Sequence, residues 1–343
     1  MLDDLKLIHQ RDAQDALGVA EKQWQQLIYD YRIELNSFSN IRNIVLAGMG
    51  GSALPGVFLK TWPEIKVPFE TVRDYSIPEY VNEETLFISS SYSGNTEETL
   101  QALSEAESKK AQIVVLSAGG KLAEIAKAKN YPLYLIPGGI QPRMCSFYFI
   151  GAMIQIFESL NLVPSGKKEE LASVADWLKD KTDSWKAEIP SLSNPAKKLA
   201  LELVGKSVVV YGGPLLFPAA NKWKICMNEN AKNVAWTNQY PEFNHNEFIG
   251  WSSHPTQKPY AVVEIRSNLE NERVQKRFEV TERLLSGQRP APEVVTPIGE
   301  TLIQQLLWSS NYGDYVSLYL ALLNGLNPTP VDLVEKLKVD LNK

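Results

Sequence analysis

The residues best suited to bind a ligand in this chain carry hydroxyl groups and lie in one short stretch. Residues 89–96 contain four serines and one threonine around Tyr92, Gly94 and Asn95. Hydroxyl groups donate hydrogen bonds without adding charge, and a helix N-terminus behind them would supply the positive end of a dipole. That combination suits a phosphate monoester. The plainer interpretation is a serine-rich connection with Thr96 as the N-cap of the next helix.

A glycine-rich stretch, residues 48–52, precedes these serines in the chain. Gly50, Gly51 and Ser52 follow an apolar, strand-like run and open a helix-like one. Glycines let backbone N–H groups approach an anion closely, and a helix N-terminus presents such groups. Together with Ala53 the stretch also fits the permissive dinucleotide-binding pattern, so an NAD(P)-dependent enzyme stays open as an alternative, as does a tight turn without a ligand.

Candidates for acid–base chemistry lie in the second half of the chain. Glu229 is part of NENAK, at the end of a predicted helix over residues 219–232, and His245 is part of PEFNHNE. Moving a proton between neighbouring carbons needs a base of moderate pKa, usually a carboxylate, and a cation or dipole facing the developing oxyanion. Taken alone, Glu229 reads as a solvated helix-end charge and His245 as a loop histidine.

Length and charge limit the partners of the chain. Its 343 residues favour two domains over one. With 35 Lys and Arg against 40 Asp and Glu, the formal charge is −5 and the pI is about 5.5. Such a chain has no general attraction for nucleic acid or an anionic membrane, so neither partner is expected. Any bound anion must be captured locally, by a few amides and hydroxyls.

Cysteine and histidine usage predicts a reduced, metal-free protein. Cys145 and Cys226 form neither a disulfide framework nor a zinc cluster, which favours a cytoplasmic setting. The start of the chain lacks the apolar core of a secretory signal, and no stretch is apolar enough to span a membrane. His9, His245 and His254 are not spaced as metal ligands, so no metal is expected.

Apolar runs alternate with helical patterns along both halves of the chain, which predicts an α/β fold with mainly parallel sheets covered by helices. The predicted strands are 44–47, a run between Pro63 and Pro68, 85–89, 113–116, 134–136, 207–211, 261–265 and 294–296. The predicted helices are 12–37, 97–109, 122–128, 219–232, 268–286 and a long amphipathic helix at 299–325, with a helical region at 144–204. We therefore expect an N-terminal domain with a leading helix (1–155), a helical linker (156–200) and a C-terminal domain (201–343).

Two motifs together resemble a known family. GMGGSA at residues 48–53, followed by SSYSGNTEETL at residues 90–100, is similar to the SIS (sugar isomerase) phosphosugar-binding domains. Two such domains in one chain of this length resemble the bifunctional phosphoglucose/phosphomannose isomerases. The resemblance implies two SIS-type domains, each an αβα sandwich. It also implies that the sugar phosphate is held by Gly50, Gly51, Ser52, Ser91, Ser93 and Thr96.

The same resemblance suggests roles in proton transfer. The NENAK-like stretch of the family carries the catalytic base, which points to Glu229. The histidine of the PExxHN-like stretch assists ring opening, which points to His245. Gln141-Pro142-Arg143 matches a stretch whose arginine stabilises the enediolate, which points to Arg143.

Near the C-terminus, Asn327-Pro328-Thr329-Pro330 resembles a further family pattern. Its threonine leaves room for the substrate to rotate about C2–C3, which implies that role for Thr329. A lysine that helps ring opening follows, and Lys336 is the candidate, with Lys338 as the alternative. This rotation would allow one site to accept both glucose and mannose phosphates.

The implied activity is a metal-independent, cofactor-free aldose–ketose isomerase. It would interconvert glucose 6-phosphate and mannose 6-phosphate with fructose 6-phosphate by proton transfer through an enediolate. The resemblance also implies a homodimer whose active site is shared between subunits, with the histidine supplied by the partner. The alternative from another class is a non-catalytic sugar-phosphate-binding regulator with the same fold, although no DNA-binding module or basic patch accompanies it.

Overall fold

Parallel strands in two separate sheets form the framework of this protein. The computed structural model describes residues 1–35, 38–253 and 258–341, and these fold into two compact units. We call Lys22–Lys179 the N-unit, and Met1–Glu21 together with Asp180–Lys343 the C-unit. None of the helices in the described ranges has the length and apolar character needed to cross a membrane.

The described part of the N-unit contains a five-stranded parallel sheet with the order β2-β1-β3-β4-β5. Its strands are β1 (Asn43–Ala47), β2 (Phe69–Val72), β3 (Thr85–Ser90), β4 (Gln112–Ser117) and β5 (Leu133–Leu135). The central strands consist almost entirely of buried residues, as expected for strands whose two faces are both covered. The predicted strands at 44–47, 85–89, 113–116 and 134–136 are thereby confirmed.

The strand predicted between Pro63 and Pro68 is wrong, because β2 begins only after Pro68. The Pro68 carbonyl accepts a hydrogen bond from the Ile44 N–H at 2.9 Å. Proline has no N–H to donate to a neighbouring strand, so it can stand at the start of a strand but not inside one.

Helices follow most of the strands. In chain order they are α1 (Leu5–Arg11), α2 (Ala16–Glu21), α3 (Gly50–Thr61), α4 (Glu97–Ser108), α5 (Gly120–Lys129), α6 (Ser146–Ser159), α7 (Lys167–Thr182), α8 (Pro195–Leu203), α9 (Phe217–Glu229), α10 (Glu247–Gly250), α11 (Glu272–Leu284), α12 (Leu302–Leu323) and α13 (Asp332–Leu341). Sequence periodicity missed α1 and α13. It placed α4, α5 and α11, and it ended α9 three residues too late.

The single leading helix predicted at 12–37 is wrong. Only α2 and a short 3-10 helix, Gln23–Ile28, form there, and residues 36–37 lie outside the described residues. Asp12 accepts hydrogen bonds from the Ala16 and Leu17 N–H groups and so fixes the start of α2. Gln26 donates to the Met144 carbonyl at 2.8 Å, a tertiary contact that the apolar spacing does not reveal.

The described part of the C-unit contains a four-stranded parallel sheet with the order β7-β6-β8-β9. Its strands are β6 (Ser207–Gly212), β7 (Ala235–Gln239), β8 (Tyr260–Ile265) and β9 (Pro292–Val295). β7 lacks a clear apolar run and was not predicted. The α/β fold with two parallel, helix-flanked sheets is confirmed.

The long helix predicted at 299–325 forms as α12, but it is not amphipathic. All but one of its residues between Ile303 and Leu322 are buried. Several of its polar side chains find internal partners: Ser310 donates to the Leu306 carbonyl at 2.6 Å, and Asn311 donates to the Ala20 carbonyl at 3.0 Å. Polar residues on this helix therefore do not mark a solvent face, because each one that is satisfied inside can be buried.

Candidate functional site

The glycine-rich stretch forms the turn between β1 and α3. Gly50 has a φ of +48°, a backbone conformation that residues with side chains rarely adopt. A Cβ at Gly51 would lie 2.8 Å from the carbonyl carbon of Pro142 and 2.9 Å from the Arg143 nitrogen. Glycine at position 51 therefore lets the backbone of residues 142–143 approach the first turn of α3.

The serine-rich stretch forms the turn between β3 and α4 and is tied to the glycine-rich turn. The Tyr92 N–H donates to Ser52 Oγ at 2.9 Å, and Ser90 Oγ donates to the Ser52 carbonyl at 2.9 Å. β1 and β3 are parallel neighbours, so both turns lie at the carboxyl edge of the N-unit sheet. That edge is where ligands bind in open parallel sheets.

Within the serine-rich turn the backbone sets the positions of the hydroxyls. Ser91 Oγ and Thr96 Oγ1 are 2.8 Å apart, and the Gly94 N–H donates to Ser91 Oγ at 3.1 Å. The Asn95 N–H donates to Ser93 Oγ at 3.3 Å. Ser91 is buried and Ser93 is exposed. The turn is therefore ordered by its own hydrogen bonds.

Two of the helices that start at this edge, α3 and α4, lack a side-chain cap. Among the described residues, no side chain is hydrogen-bonded to the N-terminus of α3 or of α4. Thr96 occupies the N-cap position of α4, but its hydroxyl contacts Ser91 instead. The first amides of a helix have no partner within the helix, so two uncapped starts at one edge can accept an anion.

Arg143 lies next to these turns in the N-unit. It is part of a short 3-10 helix, Pro142–Met144, and only 1% of its surface is exposed. Its Nη1 donates to Gln141 Oε1 at 3.3 Å. Because guanidinium groups stay protonated in proteins, this residue brings a permanent positive charge to the region beside α3.

Glu229 is the last residue of α9 in the C-unit and is half-buried. On one side of it, Asn228 exchanges hydrogen bonds with the backbone of Ala235, both at 3.3 Å. On the other side, Asn230 donates to Ser317 Oγ of α12 at 2.9 Å. Because both neighbours are anchored, the backbone that carries Glu229 is fixed.

His245 ends another 3-10 helix, Glu242–His245, and is exposed. Asn244 donates to Thr281 Oγ1 at 2.9 Å, and Asn246 donates to Glu242 Oε1 at 2.6 Å. The turn is therefore held in place on both sides of an imidazole that solvent can reach.

The structure does not bring Glu229 and His245 of one chain to the same edge of the C-unit sheet. Glu229 is anchored at Ala235, where β7 begins, whereas His245 follows the end of β7 at Gln239. At about 3.3 Å per residue, a strand of this length separates the two ends by about 13 Å.

Thr329 follows α12 and donates its N–H to Asn327 Oδ1 at 3.1 Å. Lys336 and Lys338 both lie on α13, a helix whose described residues are all at least partly exposed. Lys338 donates to Glu335 at 2.7 Å. Within the described ranges, the Lys336 ammonium makes no hydrogen bond or ion pair.

The predicted residues thus fall into two groups. The N-unit holds Gly50, Gly51, Ser52, Ser91, Ser93, Thr96 and Arg143. The C-unit holds Glu229, His245, Thr329 and Lys336. In the C-unit, the segment before Thr329 contacts the turn after Glu229, because Lys232 Nζ lies 2.9 Å from the Asn327 carbonyl oxygen.

A buried polar seam between α9 and α12 was missed by sequence reasoning. Lys222 is fully buried and pairs with Asp314, whose Oδ1 is also 3.0 Å from Cys226 Sγ. Burial lowers the pKa of Lys222, and the nearby Asp314 carboxylate raises it. The raising effect is larger, so the pKa of Lys222 lies above its ordinary value. One sequence pattern could have indicated these contacts. Lys222, Cys226 and Asn230 recur at every fourth position along α9 and its end, and Asp314 is the acidic residue of the mostly apolar α12.

Cys145 and Cys226 are both buried free thiols. Within the described ranges no group of three or more His, Cys, Asp or Glu side chains is arranged to hold a metal ion. His254, for which the sequence indicated no role, lies outside the described residues.

Known protein families and curated relatives match most of the chain. Residues 37–158 match the SIS domain family, and residues 192–341 match the bacterial phospho-glucose isomerase C-terminal SIS domain. A bifunctional phosphoglucose/phosphomannose isomerase from Caldicellulosiruptor bescii is 34% identical over 328 residues, which cover 92% of this chain and 95% of that protein. A D-glucosamine-6-phosphate 4-epimerase from Sulfolobus acidocaldarius is 32% identical over 68% of this chain and 72% of its own length.

Solved structures confirm the fold. A glucose-6-phosphate isomerase like protein from Thermus thermophilus superposes with a TM-score of 0.67 at 16% identity and covers 98% of both chains. The fold, the two domain matches and the near full-length relative together lead to one assignment. The chain belongs to the bifunctional phosphoglucose/phosphomannose isomerase family.

Proposed function

We propose that the protein is an aldose–ketose isomerase that interconverts glucose 6-phosphate and mannose 6-phosphate with fructose 6-phosphate. Membership of the family supports this activity. The structural observation that carries it is the pair of uncapped helix starts at one sheet edge, joined by the Tyr92–Ser52 hydrogen bond. A non-catalytic regulator is not favoured, because the relatives over most of the chain are enzymes.

The phosphate is held without a lysine. Main-chain amides of Gly50 and Gly51, at the start of α3, face the phosphate with the positive end of the helix dipole. The hydroxyls of Ser52, Ser91, Ser93 and Thr96 complete its coordination. Ser91 and Thr96 already contact each other at 2.8 Å, so little ordering is needed when the ligand binds.

The proton transfer rests on one carboxylate and one guanidinium. Glu229 removes the proton from C2 of the aldose and returns it to C1, while the hydroxyl proton on O2 passes to O1, and the same steps run backwards from the ketose. The Arg143 guanidinium stabilises the negative charge that develops on the enediolate oxygens. Binding energy from the phosphate holds C1 and C2 against the base. The reaction therefore requires no metal and no cofactor.

Ring opening comes before the proton transfer. His245 and Lys336, with Lys338 as the alternative lysine, move the protons between the ring oxygen and the C1 hydroxyl. Thr329 leaves space for rotation about C2–C3, so that either face of C2 meets the base. This rotation explains how one site serves the two epimers.

The active unit is a homodimer that shares its active sites between subunits. The separation of Glu229 and His245 by the length of β7 supports a histidine supplied by the partner subunit. We propose a division of the chain into domains 1–155 and 201–343 with a linker at 156–200, which differs from the two compact units in the placement of residues 1–21 and of the linker. The buried free thiols and the acidic pI suit a reducing cytoplasm and a protein without nucleic-acid or membrane partners.

A coupled assay of fructose 6-phosphate formation tests the activity. The purified protein is given glucose 6-phosphate or mannose 6-phosphate in the presence of EDTA, and we expect turnover of both. Turnover that disappears with EDTA and returns with a divalent cation contradicts the metal-free mechanism. Glucosamine 6-phosphate is tested as a third compound. A product that differs from it only in configuration at C4 would indicate an epimerase instead.

Mixing two inactive variants tests the shared active site. We expect Glu229→Gln and His245→Ala to be inactive separately. In a shared site, a heterodimer of the two has one site with both native residues, so mixed refolding restores about a quarter of the wild-type activity by random pairing. No recovery in confirmed heterodimers would place both residues in the same subunit's site.

A further inference from the structure

Lys232 makes an unusual set of contacts for an exposed lysine. It lies in the turn after α9, with a φ of +49°. Its Nζ is 2.9 Å from the Asn327 carbonyl oxygen, 3.0 Å from the Pro328 carbonyl oxygen and 3.3 Å from the Asn230 carbonyl oxygen. An ammonium group has three hydrogens to donate and no acceptor, so three carbonyls match its capacity. Although Lys232 is exposed, its ammonium group is therefore held by three specific contacts.

These contacts join two segments that are almost 100 residues apart in the chain. Asn230 directly follows Glu229, and Pro328 directly precedes Thr329. A second link runs parallel to the first, because Asn324 Nδ2 donates to the Ala231 carbonyl at 3.2 Å. The segment that carries Thr329 is therefore held against the turn that carries Glu229.

The turn is itself anchored from below. Asn230 donates to Ser317 Oγ, and Ser317 Oγ donates to the Asp314 carbonyl at 2.8 Å. The buried Lys222–Asp314 pair also joins α9 to α12, about one helical turn before Ser317 in α12. Lys232 adds a further link, which reaches the carbonyl directly before Thr329.

We propose that Lys232 is a positioning residue that fixes the Thr329 segment relative to Glu229. The proposal rests on the proposed isomerase function, in which the base and the space for C2–C3 rotation must keep one geometry. A displacement of about 1 Å at reacting groups can lower a rate about a hundredfold, so loosening this segment should act mainly on the chemical step. The phosphate-binding residues lie in the N-unit, and their grip should not change.

The test is Lys232→Met, which keeps much of the side-chain length but donates no hydrogen bond. We expect kcat to fall about tenfold or more with both aldose phosphates, in line with the loss of charged hydrogen bonds, while KM stays within about twofold. Lys206→Met is the matched control, because the exposed Lys206 ammonium donates to a single carbonyl, that of Glu202, at 2.7 Å. The control should keep wild-type kcat and KM.

A purely structural role predicts a different result. If Lys232 only balances the negative end of the α9 dipole, Lys232→Met lowers the melting temperature and leaves kcat within about twofold of wild type. That outcome overturns the proposal, and so does a rise in KM with unchanged kcat. If the methionine variant does not fold, Lys232→Gln is used with the same criteria, since its shorter amide cannot reach three carbonyls.

Amide hydrogen exchange separates this proposal from the isomerase activity itself. In wild type the Leu326 N–H donates to the Ala321 carbonyl and the Thr329 N–H donates to Asn327. If the wild-type protein shows no isomerase activity, the proposed function fails, and exchange alone then decides the role of Lys232. Faster exchange at residues 324–331 in Lys232→Met than in Lys206→Met supports the positioning role, and equal exchange overturns it.

Discussion

The two units share one strand order, but the turns at equivalent positions make different side-chain hydrogen bonds. β2-β1-β3-β4 corresponds to β7-β6-β8-β9, so the turn from β1 to α3 corresponds to the turn from β6 to α9. In the N-unit this turn carries no side-chain cap from the described residues, and Ser52 accepts from the Tyr92 N–H. In the C-unit the carboxylate of Glu270, from the turn after β8, accepts from the Leu215 N–H at 2.8 Å.

Glu270 therefore accepts from the C-unit turn that corresponds to the proposed phosphate-binding turn of the N-unit. It is buried and lies against Gly213, where an added Cβ would be 2.2 Å from its Oε1. Burial raises the pKa of Glu270, although hydrogen bonds from the Leu215 and Leu216 amides act in the opposite direction. The comparison teaches that two turns at equivalent places in the two sheets differ in their side-chain contacts: a carboxylate is bonded to the amides of the C-unit turn, and none is bonded to the turn that we propose binds phosphate.

The variant with the largest expected effect tests whether the C-unit supplies the base for proton transfer. In Glu229→Gln the general base is lost, and we expect kcat to fall about a thousandfold, within the range measured for general bases. Sugar-phosphate binding should persist, because the N-unit is unchanged. Steady-state assays and a binding titration measure both quantities, with Glu202→Gln, an exposed residue of α8, as control. Wild-type kcat in Glu229→Gln would remove this residue from the mechanism.

The next effect tests whether the N-unit grips the phosphate. Replacing Ser91 and Ser93 together by alanine removes two hydroxyl donors to a charged ligand. We expect KM to rise about tenfold or more, with a smaller change in kcat. Ser108→Ala is the control, since its hydroxyl only donates to the Glu105 carbonyl on the exposed end of α4. An unchanged KM in the double variant would contradict the phosphate assignment.

A matched pair of glycines compares the two turns directly. An alanine at Gly51 meets the backbone of residues 142–143, which cannot move aside easily, so unfolding should become about 1–3 kcal/mol easier. An alanine at Gly213 meets the end of the Glu270 side chain, which can swing away, and we expect the smaller loss. Urea denaturation measures both free energies.

Gly250→Ala serves as the reference for this pair, because no atom of the described residues lies within 4 Å of its added Cβ. Its free energy of unfolding should stay within about 0.5 kcal/mol of wild type. A loss at Gly213 as large as the loss at Gly51 would show that Glu270 is held as rigidly as backbone.

The smallest effect concerns pH. The folded-state pKa of Glu270 lies above the unfolded value near 4.5, so between these values the folded protein binds more protons than the unfolded one. The contribution of Glu270 to stability is therefore complete below about pH 4.5 and is lost as the pH rises through the folded pKa. The stability of wild type relative to Glu270→Gln should fall across that window in urea titrations. A rise would show that the amides favour the carboxylate.

Local patterns in the sequence determined the strand framework and the phosphate-binding candidates. Runs such as residues 44–47 and 113–116 are apolar throughout, short, and followed by turn-forming residues, which favours strands covered on both faces. The glycine and serine stretches follow directly after strands, so their place at the carboxyl edge followed from strand direction alone. Motifs also located the turns that carry Glu229 and His245.

Only the tertiary structure decided which residues meet across long distances in the chain. The break in the leading helix depends on a contact from Gln26 to Met144, and the burial of α12 depends on partners such as Lys222 for Asp314. Glu270 and Lys232 carry no local signal, because their partners lie tens of residues away or more. The spacing of apolar residues indicates which side of one segment faces the core. A hydrogen bond from a turn to a distant carboxylate or ammonium group depends instead on how the whole unit packs.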